Sequence, residues 1–217
     1  MIILLFFLGH WYLSLFFQTF FLHRYTSHGM FKMNYFWEKT FFFLTFLVQG
    51  SSFLQPAAYG AMHRKHHSFS DTKKDPHSPV WSNNIFSFMW GTFKEYRNLS
   101  TQFLIDESKS SDLPRWRFIE VLGESMIVRI FFVSLYSFFY WTYAPSAWFF
   151  LLIPFHIFMG PIHGFIVNWF GHKNGYRNHP ELSDNSKNTL PVDLLMMGEL
   201  YQNNHHKSPN KPKFSHR

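Results

Sequence analysis

The 217-residue chain contains no cysteine. That excludes disulfides and thiolate metal sites, so any metal must be held by nitrogen and oxygen. Charge is also scarce: 15% of the residues are Asp, Glu, Lys or Arg, against roughly 25% in soluble domains. The charge that is present avoids the apolar blocks. Lys and Arg outnumber Asp and Glu by 9 to 7 between His63 and Leu122, and by 7 to 4 from His172 to Arg217. This is the positive-inside bias of a membrane protein rather than the basic face of a nucleic-acid binder, and no nucleic-acid partner is expected. The N-terminus lacks a basic n-region and an A-x-A site, so no cleavable leader is expected. An HPGG haem motif, a GxGxxG dinucleotide loop, a long internal repeat and a low-complexity run are missing as well. Electrons for any redox chemistry must then come from a separate protein.

Aromatic carbon and imidazole are abundant. Aromatic residues make up 22% of the chain, with 30 Phe, and there are 14 His. The length suits a single domain, 1–217. Residues 2–22 are apolar apart from His10, Gln18 and a few hydroxyls. At about 1.5 Å per residue they reach roughly 31 Å, enough to cross a bilayer core. Two more apolar blocks, 126–143 and 147–170, are joined by Ala144-Pro145-Ser146. They predict an antiparallel hairpin of spans, the second kinked by Pro154, Gly160 and Pro161. Arg129 is expected to snorkel toward the headgroups. The block 36–62 is interrupted by Gln49, Gly50, Ser51, Ser52, Gln55 and Pro56. It lies between two histidine clusters, so it is expected to dip in and return, or to lie half-buried, rather than to cross once. Irregular backbone at that depth needs protein around it.

The polar stretches 63–122 and 172–217 are expected to cap one face. Within them, Val80–Tyr96 reads as an amphipathic helix lying on the membrane interface or packed on the cap. The tail from Lys207 to Arg217 reads as loose. The fold class is therefore all-α: an integral membrane helical bundle with a helical and loop cap carrying the histidines.

His63, His66 and His67 stand at i, i+3 and i+4 and share one helical face, His67 about 40° and His66 about 60° to either side of His63. Gln202, His205 and His206 repeat the spacing, with Gln in the first place. His23 and His28, five apart, lie about 140° apart on an α-helix, which suits two metals, or one metal at a distorted helix end. Asn168 and His172 share a face at the exit of the last span, where Asn168 could hold a metal-bound water. Adjacent pairs such as His66 with His67 diverge by about 100°, as two ions side by side would need. Surface histidines on a cap are the ordinary alternative, but four separate patterns would have to coincide. Eight histidines without a neighbouring carboxylate favour a pair of late first-row metals, with iron the usual choice for oxygen chemistry beside lipid.

The segments HRYTSH, HRKHHSFSDTKKDPHSP, NWFGH and GELYQNNHH resemble the histidine boxes of the integral-membrane fatty acid desaturases, and the stearoyl-CoA (acyl-CoA) desaturase-like branch in its short bacterial form. The resemblance runs from about Gly9 to Asn210. It implies an O2-dependent oxidoreductase with two Fe that dehydrogenates a saturated acyl chain, as acyl-CoA or acyl-lipid, to a cis-monounsaturated one. It implies that His23, His28, His63, His66, His67, His172, His205 and His206 ligate iron and that Asn168 acts through water. It also implies a cell-membrane protein with its metal site on the cytoplasmic side and a separate electron donor of ferredoxin or cytochrome b5 type.

Three departures stand out. Gln202 replaces a histidine found in many members and would ligate iron more weakly through its carbonyl oxygen. One span precedes the first box where vertebrate-like relatives have two, so the N-terminus is expected on the face opposite the site. The chain also ends soon after the third box, which is expected to loosen the pocket around His205 and His206.

Asp71 and Asp75 are candidates to accept the second N–H of a ligand imidazole. His77 reads as structural or as a support to the ligands. His10, His156 and His163 read as polar packing between helices rather than as tunnel lining. Arg24, Lys65, Lys73 and Lys74 read as solvated charge, with carrier or lipid phosphates as the alternative. Two other functions fit the histidines: a membrane fatty acid hydroxylase or alkane monooxygenase, and a His-rich metal transporter. The transporter would place its ligands near mid-bilayer, whereas these cluster at span exits.

Overall fold

The computed structural model describes residues 1–106 and 112–215. Cap residues 107–111 and tail residues 216–217 lie outside the described part. The regular structure among the described residues is helical, without strands beyond isolated bridges that join Tyr176, Asn188 and Tyr201. The helices are α1 (Ile2–Ser27), α2 (Tyr35–Gln49), α3 (Pro56–Phe69), α4 (Ile85–Ile105), α5 (Arg117–Glu124), α6 (Met126–Tyr143), α7 (Ile153–Ile157), α8 (Met159–Lys173) and α9 (Gln202–Lys207).

Two of them, α1 and α6, are long and apolar enough to cross a membrane, and the number rises to four if each of two bent pairs counts as one span. The α6 helix is apolar on nearly every side. Only Tyr136 and Tyr140 are buried in it, and Ile127, Ile130, Phe131, Phe138 and Trp141 are exposed. In water such a helix would be a large unpaid apolar surface; in lipid it is solvated.

The helix α1 changes character along its length. Ile2–Phe17 is α-helical, and Gln18–Ser27 winds as a π-helix. Bonds from i to i+5, such as His28 N to His23 O at 3.2 Å, bring residues five apart onto one face.

Both bent pairs break where the backbone loses regular bonding. The α2–α3 pair turns through 82° across a 3₁₀ turn, Gly50–Ser52. Gly50 has φ +52, a left-handed conformation that favours glycine. Pro56 then opens α3 at a position where its missing N–H costs nothing. The second pair bends by 72° between α7 and α8. One kinked helix over 147–170 was expected. The chain instead runs as a 3₁₀ segment, Ala147–Leu152, then α7, then α8. Pro154 lies in the first turn of α7, and the break falls at Phe158 just before Gly160-Pro161.

The two breaks bond to each other. Ser52 Oγ accepts from Gly160 N at 3.1 Å, and Ser51 Oγ donates to Ile157 O at 3.4 Å. Arg129 donates to Ser51 O at 3.0 Å and Phe53 O at 3.3 Å. It therefore serves backbone carbonyls freed by the first break instead of reaching for headgroups. Irregular backbone inside the bundle is satisfied by protein groups, as an apolar surrounding demands.

Phenylalanine builds the core that ties these pieces together. Phe21, Leu22, Phe42, Phe46, Phe53 and Ile119 join α1, α2, the first break and α5, and Ala57, Ala58, Met62, Tyr96, Phe103 and Leu113 seat α3 on α4. The amphipathic helix begins at Ile85, after Asn84 and Ser87 cap each other's backbone. It buries Phe88 and Tyr96 and leaves Phe86, Trp90 and Phe93 exposed.

Candidate metal centre

Eight imidazoles converge where α1, α3, α8 and α9 end. They form two groups, His23, His28, His63, His67 and His205, and His66, His172 and His206. Within each group the nearest nitrogens all lie within 4.8 Å of one another. The π-helical end of α1 explains how one group can use both of its histidines: the rings of His23 and His28 sit 4.9 Å apart. The adjacent pairs His66–His67 and His205–His206 split, one member to each group, as the divergence of neighbours on a helix dictates.

The other face of four rings is held by carboxylates. The Nδ1 atoms of His23, His66, His172 and His206 stand 2.6, 2.9, 2.9 and 2.8 Å from Glu199, Asp75, Asp71 and Asp184. A neutral imidazole that donates Nδ1–H to a carboxylate presents only a lone pair at Nε2. The Nε2 atoms nevertheless face one another. His66 and His206 are 3.3 Å apart, His23 and His205 3.0 Å, His28 and His63 2.9 Å, and His67 lies 3.0 Å from both His63 and His205. His172 Nε2 is buried with no hydrogen-bond partner. His66 and His206 both give Nδ1–H to a carboxylate, so their Nε2 lone pairs are opposed and repel unless a cation sits between them. Two nitrogens sharing one ion at about 2 Å each would lie roughly 3–4 Å apart, so these spacings fit metal ligation.

Electrostatics favours the ligating, neutral form. Burial, then the neighbouring histidines and arginines, pushes the His28 pKa down to about 2. Burial also holds His205 well below its usual value and lowers His206 to about 4 against the upward pull of Asp184. Burial alone would raise Asp71 and Asp184, but hydrogen bonds from His172 and His206 outweigh it and hold both below the usual carboxylate range.

Beneath the first group lies a small cavity of about 30 Å³, lined by His23, His63, Tyr59, Gln18, His163 and Asn168 among others.

The family model for fatty acid desaturases matches residues 1–217. The chain belongs to the fatty acid desaturase family. It is 30% identical over 196 residues to the sn-1 stearoyl-lipid 9-desaturase of Synechocystis sp., covering 85% of this chain and 54% of that protein. It is 28% identical over 199 residues to the Delta-9 desaturase-like 2 protein of Arabidopsis thaliana, covering 87% and 60%. It is 27% identical over 222 residues to the hex-5-enoyl-[acyl-carrier protein] acetylenase of Moorena producens, covering 94% and 65%. The chain thus spans between about half and two thirds of the length of these curated relatives.

Several expectations for this desaturase domain need correcting. Carboxylates are not absent from the histidines; four stand behind them. Asp71 and Asp75 were anticipated from the sequence, whereas Glu199 and Asp184 were missed. Glu199 had a visible signal, being the lone acid in the apolar run Leu194–Tyr201. Asp184 had none, because its partner is 22 residues away. Asp71 takes a left-handed backbone, φ +58, and accepts from Ser78 Oγ and Asn185 N as well as from His172.

The tail packs against the site at Phe214. Phe214 is buried, packs at a tilt against His205 with ring centroids 4.3 Å apart and lies under Arg24 at 4.5 Å, and its carbonyl accepts from Asn204 Nδ2 at 2.8 Å. The pocket around His205 is therefore closed, not loosened. Gln202 packs on Gly171, and its Nε2 donates to Glu199 O at 2.6 Å. Asn168 Nδ2 donates to Gly164 O at 2.8 Å. Both line the cavity.

His10 and His156 are interhelical packing: their Nδ1 atoms are 2.6 Å apart, His10 Nε2 meets Val48 O at 2.7 Å, and Tyr140 Oη meets His156 Nε2 at 2.9 Å. His163 differs from them. It lines the cavity, and neither ring nitrogen has a partner. His77 is buried 5.7 Å from the His66 ring. Arg24 is not solvated charge, since it pairs with buried Glu199 at 2.6 Å. Lys65 pairs with Glu95 at 2.6 Å, and Lys73 and Lys74 lie over Trp81 and Phe69.

Proposed function

We propose that the chain removes two hydrogens from a saturated acyl chain to make a cis double bond, using two irons held by His23, His28, His63, His66, His67, His172, His205 and His206. The overall change balances as R–CH2–CH2–R′ + O2 + 2 e⁻ + 2 H⁺ → R–CH=CH–R′ + 2 H2O. The observation that carries the reading is the pair of imidazole groups whose nitrogens converge, with carboxylates behind His23, His66, His172 and His206. Bound iron would supply the activation of O2 that an unactivated C–H bond requires.

The protein's own groups do the rest. Glu199, Asp75, Asp71 and Asp184 fix the tautomer and the aim of four rings. Phe214 and Arg24 close the polar side over His205. The cavity below His23 and His63 is the place for the reacting carbons, where enclosure keeps water from the oxidant. Asn168 acts through a water, and Gln202 is a weaker ligand through its carbonyl oxygen. The α2–α3 pair dips in and returns, which keeps His28 and His63 on one face, the cytoplasmic one. The electrons come from a ferredoxin or cytochrome b5 type donor, and the acyl carrier is CoA or a membrane lipid.

Expression in a host deficient in unsaturation, followed by lipid analysis with His63→Ala as control, tests the proposal. New monounsaturated chains that vanish in the variant are expected. Hydroxy-lipids in their place would refute desaturation in favour of hydroxylation. The gathering of ligands at helix ends, with no line of them across the bundle, speaks against a metal transporter.

A further inference from the structure

The stretch 190–200 belongs to a segment expected in the polar cap, yet its outer side is apolar. Val192, Leu194, Leu195 and Met197 are exposed, Leu194 by 80%. Its inner side, Met196 and Leu200, is buried on Leu15 of α1, with Trp11, Ile166 and Val167 around it. Leu15 precedes His23 by eight residues and Ile166 precedes His172 by six. At about 1.5 Å per residue, the contacts lie roughly 9–12 Å further along α1 and α8 than the imidazoles. The loop therefore hangs beside the spans, on the bilayer side of the histidine layer.

Part of its backbone is bonded from within. Buried Asp193 accepts N–H from Met196, Gly198 and Leu200 at 2.8, 3.0 and 2.9 Å. Glu199 N donates to Met196 O at 3.0 Å, and Tyr201 Oη donates to Pro191 O at 3.0 Å. A loop in water can leave such groups to solvent. A loop beside hydrocarbon depends on such internal bonds, since lipid offers none. At the end of the loop, Glu199 and Gln202 line the cavity beside Leu15 and Val167.

We propose that the loop 190–200 is inserted in the hydrocarbon edge of the bilayer and forms the lipid-facing wall of the cavity, past which an acyl chain carried by a membrane lipid reaches the histidines. The insertion stands on packing and hydrogen bonding; the passage of the acyl chain rests on the desaturase reading.

The lack of native cysteine makes one introduced thiol a unique label. Leu194→Cys, Leu8→Cys and Ser183→Cys are labelled with an environment-sensitive fluorophore in the full chain, reconstituted in phosphatidylcholine nanodiscs. Nitroxide-bearing lipid chains are expected to quench the Leu194 probe as they quench the Leu8 probe, and aqueous iodide only the Ser183 probe. Iodide quenching at position 194 without nitroxide quenching overturns the insertion. Leu194→Asp, with bound metal and gel-filtration profile unchanged, is expected to lower turnover of a phospholipid-borne chain several-fold more than that of acyl-CoA added from water. Equal loss overturns the lateral passage alone. A wild-type protein that makes no unsaturated product sinks the desaturase reading and the passage with it, while the quenching still judges the insertion.

Discussion

Replacing Asp184 by asparagine keeps an acceptor near His206 Nδ1 but removes the charge that holds the ring as an Nδ1–H tautomer. Losing such a partner typically costs about 10–100-fold in metal affinity. Asp184→Asn is therefore expected to lose metal to a chelator at 10–100-fold lower concentration than wild type, with its helical circular dichroism unchanged. Phe214→Ala removes a buried ring from His205 and from beneath Arg24. A cost of about 3–5 kcal/mol is the usual range for a buried Phe, read as a lower unfolding temperature in detergent. At this scale the sequence was most legible where chemistry repeats at short spacing. Histidines three, four or five apart announce themselves, and Asp71 and Asp75 follow a box closely enough to be suspected. Asp184 and Phe214 act across turns that local pattern does not encode, and His163 looks no different from His156 until the cavity is seen.

The instructive helix is α1. Read with 3.6 residues per turn, His23 and His28 point apart; wound with i to i+5 bonds, they share one group. Neither end of the apolar run marks that change of winding, so spacing alone left one metal and two metals equally open. The bent pairs were half legible. Gly50, Ser51, Ser52 and Pro56 signalled a break, but not that Ser52 would serve Gly160, 108 residues away. Ser52→Ala removes an oxygen that accepts from Gly160 N and donates to Gln49 O at 2.8 Å. It leaves a buried N–H unpaired, which costs about 1–3 kcal/mol. Thermal unfolding should show that loss, and Ser52→Thr, which keeps the hydroxyl, should recover part of it.

Across the whole molecule, an α-helical bundle with a histidine-bearing cap was readable from the alternation of apolar blocks and polar stretches. The lipid-side loop at 190–200 was not, because its seven apolar residues are too few to suggest membrane depth. The collected imidazoles predict a pH response for the metal-free protein. His28 and His206 have folded values of about 2 and about 4, against about 6.5 unfolded. The unfolded chain therefore binds more protons below about pH 6.5, so stability should fall as pH drops from 6.5 through 4. Unfolding temperatures of the chelated protein between pH 4 and 8 check the sign. Iron should raise them at pH 7 through its binding free energy.

The serine contacts between the two helix breaks carry a mechanical consequence. Neither rod can be straightened by itself, because straightening one withdraws the partner that completes the other. Variants that reshape the bundle around these breaks should thus succeed as matched pairs of changes, one near residues 50–53 and one near 157–161, where either change alone would cost stability.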